Sequence, residues 1–131
     1  QFNVPRGSWV NSGSFTISNL SHGNIDGVVS HGSYFTRIHK TILIYGNIES
    51  KATSSSAESW IRFSVPVIDN FASSYVANGS AVSQAFDGQE SHPARISSVS
   101  GTKSIEMMFW ATTTSWIIWS YNIMIFDTGS I

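Results

Sequence analysis

Residues 34–50 read YFTRIHKTILIYGNIES, and the reading of this stretch decides the fold. Tyr34 to Ile38 and Thr41 to Glu49 are β-branched and aromatic runs separated by two residues, His39 and Lys40, which is the spacing of a tight antiparallel hairpin. In the second run Ile42, Ile44 and Ile48 recur at even spacing, so they share one face of a strand and are expected in the core. The turn pair is unusual. Two-residue hairpins favour residues that reach φ > 0 cheaply, Asn and Gly above all, whereas His and Lys meet a steric cost there. His39 and Lys40 are therefore read first as framework and second as a contact candidate at an exposed tip.

Outward from this hairpin the same chemistry continues. Runs rich in Val, Ile, Thr and aromatic residues alternate with Gly, Ser, Asn and Asp, and no stretch keeps a helical period. Strands are predicted near Trp9 to Val10, Ser14 to Ile17, Gly32 to Ile38, Thr41 to Glu49, Trp60 to Val65, Ala81 to Ala85, Ala94 to Val99, Lys103 to Thr112 and Ser115 to Asp127. LSHGNIDGVVSHG, SKATSSSAES, IDNFASSYVANG and FDGQESHP read as the connections. The expectation is one all-β domain over residues 1–131, an antiparallel β-sandwich of jelly-roll type, because a sheet with one apolar face must cover it.

The last two strands ask for more than one copy. Along Ser115 to Asp127 one face receives Trp116, Ile118, Ser120, Asn122, Met124 and Phe126, and the other Ile117, Trp119, Tyr121, Ile123 and Ile125. Antiparallel strands that meet water on one side normally carry polar residues there. Two apolar faces without helices to cover them predict an oligomer of identical chains, with Trp110, Trp119, Tyr121 and Ile123 at the contact.

Composition narrows the function. Charged residues are 11% of the 131, while Ser fills 25 positions, so the surface is dressed in hydroxyls and amides. A net charge of -1 offers no field for phosphate backbones, and nucleic acid is not an expected partner. No apolar run reaches the roughly 20 residues of a membrane-spanning helix, so no membrane insertion is expected. Cys is absent, which removes disulfide frameworks and thiolate metal sites. The start Gln1-Phe2-Asn3 reads as a piece of a longer polypeptide.

Catalytic motifs are missing: the chain has no GxSxG, HExxH, P-loop or GxGxxG, and its eight acids contain no close pair. The histidines at 22, 31, 39 and 92 lack ligand spacing, so neither a metal nor another cofactor is expected. Aromatics at 13% are the better lead, since sugars stack on Trp or Tyr beside Asn, Asp, Gln or His that satisfy their hydroxyls. The sets that fit are Trp60 beside the Ser-rich connection, Tyr75 with Asn78, and Asp87, Gln89, Glu90 and His92 in one loop.

The order YFTRI, a two-residue turn, TILIYGNI, then IRFSVPVIDNF, NGSAV, ARI and a closing SYNIMIF resembles the C-terminal β-sandwich heads of bacteriophage tail fibres and related virion proteins, over roughly residues 33–127. His39-Lys40 stands where that family often has Gly-Asn, and Phe35 is inserted between Tyr34 and Thr36. The resemblance implies a homotrimeric, non-enzymatic receptor-binding head at the virion surface, outside the cell, that touches a bacterial polysaccharide or protein. Residues 1–32 would then be N-terminal strands or a connection to a fibre shaft. A carbohydrate-binding module, or a structural cap that only trimerises a fibre, fits the same residues.

Overall fold

The described residues of this computed structural model are 10–84 and 90–127. They form β1 (Val10–Ser14), β2 (Ser21–Gly23), β3 (Ile25–Ile38), β4 (Thr41–Ala52), β5 (Ala57–Ser64), β6 (Ala77–Ser83), β7 (Pro93–Ser98), β8 (Ser104–Ala111) and β9 (Trp116–Phe126), with no helix among them. All pairings are antiparallel, in one sheet ordered β1-β3-β4-β9-β6-β7-β8-β5-β2.

The hairpin at residues 34–49 is present as read. Ile38 pairs with Thr41 across a two-residue turn, and His39 takes φ +56°. Ile42, Ile44 and Ile48 are fully buried, while Leu43 and Tyr45 between them face out. On β9 the alternation is equally strict, with Trp119, Tyr121, Ile123 and Ile125 inside and Asn122, Met124 and Phe126 outside.

That alternation corrects part of the interface expectation. Trp119, Tyr121 and Ile123 are core residues of the chain itself, because the inner face of β9 packs against β5 and β8. The Trp119 ring lies 4.6 Å from Phe109 and the Tyr121 ring 5.6 Å from Phe63. In the order of pairing, β9 and β5 are separated by β6, β7 and β8. Their side chains meet only because the sheet curls over its own apolar face, which is how a chain without helices covers it. Of the four, Trp110 alone is exposed.

The curl has a corner at Asn24. Residues 21–38 run against residues 41–64 as one long hairpin, with Gly23 opposite Trp60 on β5 and Ile25 opposite Ala52 on β4. Between these registers Asn24 takes φ +58°, a conformation Asn tolerates better than most residues. Its side chain donates to the Ser54 carbonyl (2.9 Å) and to Ser59 Oγ (2.7 Å), and accepts from the Ser54 amide (3.0 Å). Asn24 thereby bends β2 away from β3 and ties the opposite bend at residues 53–56 to β5.

Two departures from the sequence reading follow. LSHGNIDGVVSHG is not a connection, since it supplies β2 and the first half of β3, with register shifts at Ile25/Gly27 and Ser30/Gly32. A single strand, β1, runs over Val10–Ser14 across the gap left between the two strands predicted at Trp9 to Val10 and Ser14 to Ile17, and residues 15–17 lie outside it, although Phe15 and Ile17 still pack on the core.

Candidate functional site

Register across the sheet decides which side chains share the outer surface. Tyr34 pairs with Tyr45, Tyr45 with Asn122, Asn122 with Ser80, and Ser80 with Arg95. Arg95 then pairs with Met108, and Met108 with Trp60. One transverse row thus carries stacked tyrosines (centroids 5.6 Å apart) at one side, amide and hydroxyl groups in the middle, then Arg95 and Trp60.

The row passes a groove made by a divergence of strands. β6 and β7 pair only at Ser80 to Val82, so Ala77 to Gly79 and Ile96 to Ser98 splay apart. The opening is about 450 Å³ and is lined by Ser74, Tyr75, Asn78, Arg95 and Ser97, with Ala77 and Ile96 at its base. Ser98 holds the incoming loop in place, since its hydroxyl accepts from the Val76 amide (3.1 Å) and donates to the Ser73 carbonyl (2.7 Å). Tyr75 stands nearly free above the opening.

Asn78 also borders a second, apolar depression of about 340 Å³, between Leu43, Tyr45, Asn122 and Met124. Here the outward positions of β3, β4, β9 and β6 from Tyr34 to Ile38, Thr41 to Tyr45, Ser120 to Phe126 and Asn78 to Val82 carry no charge. Leu43, Tyr45, Met124, Phe126, Tyr34 and Ile38 each keep between 42% and 57% of their surface exposed on this face. Contiguous apolar surface of this kind marks an interaction site more often than an ordinary solvated face.

The residues singled out from sequence fall into separate places. Tyr75 and Asn78 meet in the groove, with Asn78 on β6 rather than in a loop. Trp60 lies further along the outer row, its ring 4.6 Å beneath the Arg62 guanidinium and over Gly23. Asp87 and Gln89 lie outside the described residues. Glu90 is exposed, and His92 is half-buried, with its amide donating to Ser83 Oγ at 2.8 Å. His39 and Lys40 occupy the β3–β4 turn, away from the residues that line the groove.

Arg95 and the Tyr34–Tyr45 pair were not singled out in the sequence. The available signal was a lone Arg on an outward strand position in a chain poor in charge, and Tyr at matching distances on either side of a predicted turn. Among the described residues no three of His, Asp and Glu come together. His31 Nε2 and Glu49 Oε1 approach to 2.7 Å at the surface, and Glu106 is engaged by Arg62 Nε at 2.8 Å.

Burial raises the Tyr121 phenol above its ordinary value, and the hydrogen bond from its hydroxyl to Ser33 Oγ (2.9 Å) partly offsets this. Tyr121 is thus a neutral core group at any ordinary pH. Comparison of the chain with protein-family models, curated proteins and solved structures finds no match.

Proposed function

We propose that the chain is a non-enzymatic attachment head that binds a bacterial surface glycan, working as a homotrimer at the tip of a virion fibre or spike. In this reading the curled sheet serves as a jelly-roll sandwich. The observation that carries it is the groove that unites Tyr75 and Asn78 with Arg95 and Ser97. An exposed aromatic ring beside amide, hydroxyl and guanidinium donors matches a sugar, whose C–H face stacks while its hydroxyls take hydrogen bonds. The order of motifs from YFTRI to SYNIMIF supports the assignment to a fibre head.

The uncharged apolar face of β3, β4 and β9 supports self-association, because the centres of protein interfaces are depleted in charge and enriched in aromatic residues and Met. Covering that face with neighbouring copies leaves the β6–β7 groove at its rim. Three such grooves on one trimer multiply weak contacts into useful avidity.

Labelled protein incubated with a panel of bacterial strains, with competition by their purified surface polysaccharides, tests the reading. Binding that the polysaccharide competes and that Y75A/N78A abolishes is the expected result. A panel left entirely unbound, or a variant that binds like the parent, overturns it. The apolar face also favours a second reading, a cap that trimerises a fibre without receptor contact. Trimers in sedimentation, broken by L43E/M124E, combined with no cell binding, would select the cap.

A further inference from the structure

Among the described residues the arginines differ in one respect. Arg37 Nη1 lies 2.8 Å from Asp127 Oδ2, and Arg62 Nε lies 2.8 Å from Glu106 Oε2. Arg95 has no carboxylate within ion-pair distance, and its one side-chain hydrogen bond runs from Nη2 to Met108 Sδ at 3.2 Å. A thioether is a weak acceptor and leaves the charge of the guanidinium uncompensated.

Position gives this charge a use. Arg95 is exposed and lines the groove with Tyr75, Asn78 and Ser97, and the groove holds no acid among its lining residues. The nearest carboxylate in register is Glu106, opposite Ser97, and it is buried and already engaged by Arg62. The one charge among the residues that line the groove is therefore positive, although the chain as a whole carries a net charge of -1. A guanidinium presents N–H donors in a planar fork that fits two oxygens of a carboxylate or phosphate, which a neutral sugar hydroxyl cannot match.

We infer that the groove selects an anionic saccharide, whose carboxylate or phosphate oxygens bind Arg95 while the sugar ring stacks on Tyr75 and hydrogen-bonds Asn78. This rests on the reading of the groove as a glycan site and adds the charge class of the ligand. It predicts that neutral polymers of the same backbone bind weakly.

The test uses the whole chain in calorimetric titrations with an oligogalacturonate, the same oligomer with its carboxyls reduced to alcohols, and a glycerol-phosphate oligomer. The expected result is binding of at least one anionic oligomer about tenfold to hundredfold tighter than the reduced one, as the gain from a charge-assisted bond implies. The preference should fall with added salt. R95Q, with an unchanged thermal midpoint, should abolish the preference, R95K should keep part of it, and whichever anionic oligomer binds tighter names the group. Equal binding of the acidic and reduced oligomers, sensitive to N78A, would overturn the charge inference and leave the glycan reading standing. R95Q binding the acid like the parent would overturn it too, and binding of none of the three would overturn it together with the glycan reading.

Discussion

Replacement of Asn24 should cost more than replacement of any other half-buried polar residue in the connections, and the cost divides into parts that can be measured. Asn24 makes three side-chain hydrogen bonds. The two to Ser54 lie at an exposed position where water takes over, so each contributes about 0.5 kcal/mol, while the one to the fully buried Ser59 counts for about 1 kcal/mol or more. Asn24→Gly keeps access to φ +58° and loses only these bonds, roughly 2 kcal/mol. Asn24→Ala loses the same bonds and keeps a Cβ in the left-handed region without the local side-chain hydrogen bonding that lets Asn tolerate it, at about 1 kcal/mol more. Expected losses are thus about 2 kcal/mol for Gly and about 3 kcal/mol for Ala, a large share of the 5–15 kcal/mol typical of a domain. Urea unfolding followed by tryptophan fluorescence reads both, since the midpoint shifts while the slope stays constant if the unfolded state is unchanged. An Ala variant within 0.5 kcal/mol of the parent, or a Gly variant no better than Ala, would refute the account of the corner.

Gly46→Ala should destabilise by about 1–3 kcal/mol, because the new Cβ would sit on the Gly32 carbonyl and within 2.6 Å of the Tyr121 hydroxyl; melting temperature checks this, and no shift would refute it. Tyr121 gives stability a pH dependence at the alkaline end. The folded phenol has the higher pKa, so its contribution is full below the unfolded value near 10 and is lost as pH rises from there towards the folded one. Urea midpoints measured from pH 8 to 11 should show this fall in the parent, and Y121F should lack that part of it. Asp127→Asn should cost about 3 kcal/mol by leaving the Arg37 guanidinium buried without a counter-charge. Arg37 Nε and Nη2 have no hydrogen-bond partner to begin with, so R37M/D127N should recover much of that loss in denaturant midpoint. A double variant less stable than the single one would sink the idea.

The hairpin at residues 34–49 and the two faces of β9 were legible because alternation of β-branched residues is a local signal that the rest of the chain does not overrule. Which face of β9 would be inside was not legible. Both are apolar, and the choice depends on Phe63 and Phe109, which reach Tyr121 and Trp119 only through the curl. β2 and the first half of β3 were hidden by His, Ser and Gly. Their strand conformation comes from long-range pairing with residues 48–52 and 60–62, and local propensity does not impose it. In the groove, Tyr75 and Asn78 were singled out by residue type, while Arg95 joins them only because β6 and β7 diverge beyond the Ser80–Arg95 pair, at Ala77 to Gly79 and Ile96 to Ser98. A divergence of strands leaves no mark on the sequence of either one.

β9, the last strand among the described residues, is hydrogen-bonded on one side to β4 and on the other to β6, which precede it by tens of residues. During synthesis, β4 and β6 therefore emerge from the ribosome as two unfilled edges, with Ile42, Ile44 and Ile48 open to water, and stay so until β9 arrives to join them. The nascent chain must wait with its most aggregation-prone surface exposed, so the rate at which the segment from β6 to β9 is translated, and the help of a chaperone that shields strand edges, should govern how much of it reaches the folded state.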